Sequence, residues 1–395
     1  MRIIYADNNA TTAVAPEVLD AMLPFFTNHY GNPSSMHMLA VEPKRAMTEA
    51  REKVGHLIGA DSSEIVFSSC GTESDCAAIR GALAANPLKR HIVTTKVEHP
   101  AVLNLCKYLH ETGYKVTFLS VDSDGLLDLD ELDAAINDQT ALVSVMYANN
   151  ETGVIFPIEK IAEIVKQKGV LLHTDAVQAV GKLPIDLSQS SIDLLSFSGH
   201  KLHAPKGIGG LYVRRGTRWS PFLIGGHQER GRRAGTENIP YIVGLGRACE
   251  LAEASLQVES ERERKMRDNL EKKLLRLIPD SRVNGSAEHR LPNTLNISFE
   301  FVEGEAILLL LSQDGIAASS GSACTSGSLE PSHVLRAMGV PFTYAHGSVR
   351  ISLSRYNTEK DVNSIVDSLV RIIERLREIS PFRHERDAAS KVESE

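Results

Sequence analysis

Lys201 follows the apolar run of "LLSFSGHKLHAPKGIGG" (Leu194–Gly210), and Asp175 closes the run of "VLLHTDAVQAVG". A strand-forming run that ends in a polar side chain delivers it to the carboxyl edge of a sheet, where open α/β sheets bind ligands. Held in a pocket, the Lys201 amine can shed its proton and attack an aldehyde cofactor as a Schiff-base nucleophile; otherwise it only caps carbonyls. Asp175, with Gln178 close behind, suits a pyridinium nitrogen of the kind pyridoxal phosphate (PLP) chemistry needs, or else the cap of a helix. "FSSCGTESDCAAIRGAL" passes from strand through Gly71 and Thr72 into a helix, which offers N–H groups and a hydroxyl to a phosphate, as any capped strand-to-helix turn does. His99 in "KVEHPAV" ends another run, where an imidazole can stack on a flat ring and shuttle protons or simply serve the fold. Asn149 and Asn150 end a further one in "YANNETG".

Cys324 stands apart from these. It sits within "IAASSGSACTSGSLEPSHVL" (Ile316–Leu335), among Ser, Gly, Ala and Thr. A thiol kept for packing belongs on a strand or helix face, whereas this one reads as presented. A serine- and glycine-rich loop of this kind is either a plain flexible linker or a carrier for a thiol that must move. "KGIGG" lacks the G-x-G-x-x-G spacing of a dinucleotide loop.

Elements must bring these residues together. Seven short runs, "EIVFSS", "HIVTTKVE", "KVTFLSV", "ALVSVMYA", "VLLHTDA", "LLSFSG" and "GGLYVRR", alternate with helical stretches from about Glu64 to Arg215. Such continuous apolar runs predict a mainly parallel sheet covered on both faces. Leu245 to Leu277 then reads as one connecting helix with a charged, solvated face. "TLNISFE", "EAILLLLSQDG", "SVRISLS" and "EKDVNSIVDSLVRIIERLREI" follow as strand, helix, strand and helix, a smaller α+β unit. The expected fold class is therefore α/β, with a polar, disordered tail from about Arg383.

Composition narrows the function classes. The chain has 395 residues, enough for about two domains, and 42% hydrophobic residues without an apolar run of membrane-spanning length. Its N-terminus meets an acid and two amides too early for a secretory signal. A net charge of −7 argues against general nucleic-acid binding, with "ERGRRAG" the local exception. Five cysteines with no C-x-x-C pair suggest neither a disulfide framework nor zinc, and fit a reducing cytoplasm.

In order along residues 3–380, "YADNNATT", "YGNPSSMH", "CGTESD", "EHPAV", "ANNETG", "HTDAVQAVGK", "SGHKLHAPKG", "ERGRRAGTEN" and "SSGSACTSGSLEPSHVLRAMG" resemble the class V aminotransferases among fold-type I PLP enzymes. The resemblance is closer to the cysteine desulfurases, and within them to the nitrogen-fixation type. It implies a large PLP-binding domain over 16–255, a smaller domain over 256–380 against which residues 1–15 pack, and a tail over 381–395. Lys201 would be the Schiff-base lysine, Asp175 the partner of the pyridine nitrogen, Gln178 that of the phenolic oxygen, and His99 the stacking acid/base. Gly71, Thr72, Ser198 and His200 would hold the phosphate, joined by Thr236 from a neighbouring subunit of a homodimer. Asn150 would reach cofactor and substrate, and Arg350 the carboxylate of L-cysteine through bidentate guanidinium bonds. Cys324 would receive the sulfur as a persulfide while alanine leaves. It would then pass that sulfur to an iron–sulfur scaffold protein, serving as a transient iron–sulfur ligand, with nitrogenase as one destination. A selenocysteine lyase or other β-elimination enzyme of the same fold, and a non-catalytic scaffold, are the competing expectations. Ala6 in "YADNNATT" stands where the family usually has Leu.

Overall fold

The computed structural model describes residues 2–320 and 331–380. Strand β1 (Ile4–Tyr5) lies apart from a seven-stranded sheet made of β2 (Ile65–Ser68), β3 (His91–Thr95), β4 (Lys115–Leu119), β5 (Thr140–Ser144), β6 (Leu171–Asp175), β7 (Leu194–Ser198) and β8 (Gly209–Val213). These are the seven expected runs. Their order is β2-β8-β7-β6-β5-β3-β4. All neighbours from β7 to β4 are parallel, and β8 runs antiparallel to β7 and β2.

Side-chain parity sorts each strand's residues onto two faces. Ile92, Leu142 and Leu194 pack with Ile79 and Ala82 of the helix Gly71–Ala85 and with Val102 and Leu105 of the helix Pro100–Glu111. Their chain neighbours Val93, Val143 and Leu195 pack on the opposite face with Val54 of the helix Val41–Ile58 and Ile161 of the helix Ile158–Gln167. With both faces covered, apolar runs need no alternation, which is why the sequence shows none.

A second sheet joins β9 (Ser281–Val283), β10 (Thr294–Phe299) and β12 (Ser348–Ser352), all antiparallel, with β10 central. The amphipathic helix Glu359–Ile379 and the helix Gly304–Gln313 pack on it through Ile365, Leu369, Ile307 and Leu311. Strand β1 pairs in parallel with β11 (Ile316–Ala317), so the N-terminus packs with this smaller unit.

One helix, Ile239–Leu277, runs through both cores: Leu245 and Cys249 lie in the first, Leu270 and Leu274 in the second. It starts six residues before the expected Leu245. Gly246 within it is a close-contact residue, because a Cβ there would lie 2.6 Å from the Cα of Ala50. Residues 381–395, expected to be a disordered tail, lie outside the described residues.

Candidate active site

Parallel strands end at the same edge of a sheet, so residues far apart in sequence converge there. Asp175 is the last residue of β6, Lys201 closes the tight turn Gly199–Lys201 after β7, and His99 caps the helix that follows β3. All three line one cavity of about 310 Å³. Gly71, Thr72, Ser198 and His200 stand in the same wall, as do Asn150, Gln178 and Arg350.

The N-terminal segment crosses this site. Lys201 Nζ donates to the carbonyls of Asn9 and Ala10, each at 2.6 Å. Gln178 Nε2 donates to the same Asn9 carbonyl at 2.9 Å, and Gln178 Oε1 accepts from Lys182 Nζ at 2.7 Å. Asn9 itself is fixed by its amide, which donates to Thr294 Oγ1 at 2.8 Å and to the Asn150 carbonyl at 3.2 Å. Arg350, 2% exposed on β12, donates to the Asn150 carbonyl at 2.9 Å and to Asp7 Oδ1 at 2.6 Å. The smaller unit therefore contributes a guanidinium to a cavity built mainly by the large sheet.

Burial sets the protonation of the wall. Burial and then the like charge of Asp75 push Asp175 up to about 6, against opposing pulls from His99 and the Val177 N–H. Burial also holds His99 below its ordinary value, with Lys201 and His333 adding to that and Asp175 working against it. His99 Nδ1 accepts the Ala101 N–H at 3.2 Å, so the neutral ring carries its proton on Nε2. Burial, then the charge of Lys201, pushes His200 down to about 4, leaving a neutral imidazole. An acid, a neutral imidazole with one N–H and an amine are thus held together away from water, the set that proton transfer around a carbonyl compound requires.

The cavity also has a place for an anion. The helix Gly71–Ala85 opens at the site, and its preceding residue Cys70 makes no side-chain cap. Ser198 Oγ is buried and has no hydrogen-bond partner among the described residues. A Cβ on Gly71 would lie 2.8 Å from Val177 Cγ2, so the bare glycine keeps this corner open. An unfilled hydroxyl beside a helix N-terminus suits a phosphate. A flat, aldehyde-bearing phosphate ester fits these residues.

One expected site residue stands elsewhere, and another is not among the described residues. Thr236 is exposed and does not line the cavity of this chain, and Cys324 lies outside the described residues. The basic run near Thr236 is spent on local contacts: Arg230 donates to the Ile65 carbonyl, Arg232 to that of Ser63, and Arg233 pairs with Glu73 at 2.8 Å. Sequence reasoning passed over Asn9, Asp75, Glu151 and His333, which also line the cavity. All four lay inside quoted motifs, "YADNNATT", "CGTESD", "ANNETG" and "SSGSACTSGSLEPSHVLRAMG"; only the fold shows that they face the site.

The family model for class-V aminotransferases matches residues 4–365. A cysteine desulfurase of Nostoc sp. is 61% identical over 385 residues, 98% of this chain and 96% of the relative. The cysteine desulfurase NifS of Azotobacter vinelandii is 56% identical over 97% of this chain and 95% of its own. Among solved structures, a NifS-like protein superposes with a TM-score of 0.89 at 42% identity, covering 94% of this chain and 99% of its own.

Proposed function

The chain belongs to the class-V aminotransferase family and acts as a cysteine desulfurase, and on that premise we propose how its own residues do so. The observation that carries the proposal is the convergence of Lys201, Asp175 and His99 on one cavity beside the opening of the helix Gly71–Ala85. Pyridoxal phosphate, when bound, supplies an electron sink at the substrate's α-carbon. Lys201 holds it through its amine, Asp175 holds the proton on its ring nitrogen, Gln178 binds its phenolic oxygen, and His99 covers the ring. Gly71, Thr72, Ser198 and His200 take the phosphate, with Thr236 reaching in from the second subunit of a homodimer. Asn150 and Arg350 orient L-cysteine by its carboxylate. Lys201 and His99 carry protons between the α-carbon and β-carbon sides of the substrate.

The Cys324 thiolate attacks the substrate sulfur: an S–S bond forms, the carbon–sulfur bond breaks, and its electron pair stays on the β-carbon and takes up a proton. Alanine leaves and a persulfide remains, with atoms and electrons balanced. The bound sulfur then goes to an iron–sulfur scaffold, with Cys324 a transient ligand there and nitrogenase maturation as the destination, in a cytoplasmic setting. No helix among the described residues is long and apolar enough to cross a membrane. The division into a cofactor domain over 16–255 and a smaller domain over 256–380 belongs to the same proposal; the separate core of the smaller sheet supports it, while Val334, Leu335, Met338, Val340 and Ala345 pack in the core of the large one.

The test is the alanine and sulfide released from L-cysteine with a reductant, for the parent beside Cys324→Ala. Equal amounts from the parent and neither from the variant is the expected outcome. Parental activity in the variant would remove Cys324 as carrier and favour a lyase that frees sulfur directly.

A further inference from the structure

Lys182 ends the motif "HTDAVQAVGK", and no step above uses it. Its Nζ points between two carboxamide oxygens, Gln178 Oε1 at 2.7 Å and Asn9 Oδ1 at 3.3 Å. An amine in that place can satisfy oxygens only by donating, so it selects one of the two ways in which the Gln178 carboxamide could sit. Oε1 must face Lys182, and the nitrogen must face the other way, where it meets the Asn9 carbonyl that also takes Lys201. Burial, then the charge of Lys201, pushes Lys182 down to about 7. The neutral amine keeps two N–H groups, enough for both oxygens, but its lone pair can also accept from a turned carboxamide, so the selection is firmest while Lys182 is charged. Lys182 is also a wall residue of a second cavity, about 40 Å³, that lies behind Lys201 and is shared with Glu259, Glu263 and Arg355. That space leaves room for a longer cation in its place.

We infer that Lys182 is a positioning residue of the desulfurase reaction: it locks the Gln178 carboxamide with its N–H groups toward the Lys201 side of the site, ready to donate to the cofactor. This rests on the proposal that the cavity takes pyridoxal phosphate. Without Lys182 only the Asn9 carbonyl holds the carboxamide, and a carboxamide turned away from it presents its oxygen to an oxygen of the cofactor, which is repulsive rather than binding.

The experiment measures the dissociation constant of pyridoxal phosphate and the visible circular dichroism of the bound cofactor for the parent, Lys182→Met, Lys182→Arg and Gln178→Ala, and for the Met and Ala changes combined. Lys182→Met should weaken binding on the order of tenfold, the effect of one lost charge-assisted hydrogen bond, and reduce the dichroic band. Lys182→Arg, which keeps only donors, should stay close to the parent. Combined with Gln178→Ala, Lys182→Met should add little, because it acts through that side chain. The inference is overturned if Lys182→Met binds and rotates light like the parent, if Lys182→Arg loses as much as Lys182→Met, or if the two losses add in full. A parent that takes up no cofactor would instead sink the function proposal. Should Lys182→Met not fold, the Arg variant alone decides.

Discussion

Four buried acids, Asp75, Glu98, Glu151 and Asp175, lie around the candidate site, and their neighbours decide what each can do. Asp175 ends its strand in the cavity, so Asp175→Asn should cut alanine formation about 100-fold or more while leaving the fold intact; a variant within a few-fold of the parent would dismiss it as partner of the ring nitrogen. Glu98 does not line the cavity: one oxygen accepts from Thr95 Oγ1 at 2.8 Å and the Met146 N–H at 3.0 Å, and the other is buried without a partner among the described residues. Burial raises its pKa from 4.5 to about 8, partly offset by those two bonds. The folded chain therefore holds a proton that the unfolded chain has lost between those values, so stability falls as pH rises through that window. Glu98→Gln should flatten this fall in urea-denaturation curves of the cofactor-free protein recorded from pH 5 to 8; equal slopes for both proteins would refute it. Thiols divide in the same way. Burial pushes Cys106 up to about 12 and Cys249 higher still, so both are inert. Iodoacetamide should modify Cys324 before either of them in the native protein, as mass spectrometry of peptides would reveal.

Segments hold these residues in place by contacts that their own sequences do not advertise. "ERGRRAG" looks like a basic patch, yet its leading acid is the keystone. Glu229 is buried and takes a two-pronged bond from Arg51, 2.7 Å on each side, plus the Phe67 N–H at 2.9 Å. Glu229 and Arg230 both adopt left-handed backbone, φ 47° and 60°, which non-glycine residues rarely accept. The three bonds to one carboxylate hold that turn and fix where the following residues, Thr236 among them, emerge. Glu229→Ala strands the Arg51 charge in the interior and should cost about 3–5 kcal/mol in urea unfolding. A loss under 1 kcal/mol would mean that the turn is held by something else. Arg51 sits mid-helix and Glu229 far along the chain, so no local pattern could have paired them.

At the scale of the molecule, the site depends on elements from both ends of the chain. Residues 7–10 and β12 meet the carboxyl edge of the large sheet, and the helix Ile239–Leu277 ties the two cores together. Met36, Met38 and Ile224 are 104%, 84% and 91% exposed. With Thr236 exposed too, sedimentation equilibrium should give twice the 43.2 kDa chain mass. A monomer at micromolar concentration would leave Thr236 no phosphate to reach.

The seven strands of the large sheet, its mainly parallel class and the polar residues Asp175, His99 and Lys201 that follow the runs were legible in the sequence, because apolar runs and the residues that end them are local patterns; β1, β9 and β11, two or three residues long, carry too short a pattern to read. The sequence also carried the family's motifs in order. Only the tertiary structure decided which residues share the cavity, that Asn9 takes both Lys201 and Gln178, that Lys182 orients that glutamine, and that Glu229 pairs with Arg51. Apart from the Lys182–Gln178 pair, which lies one helical turn apart in sequence, those contacts join residues far along the chain from one another, and their geometry follows from strand order and helix packing, which no short stretch of sequence encodes.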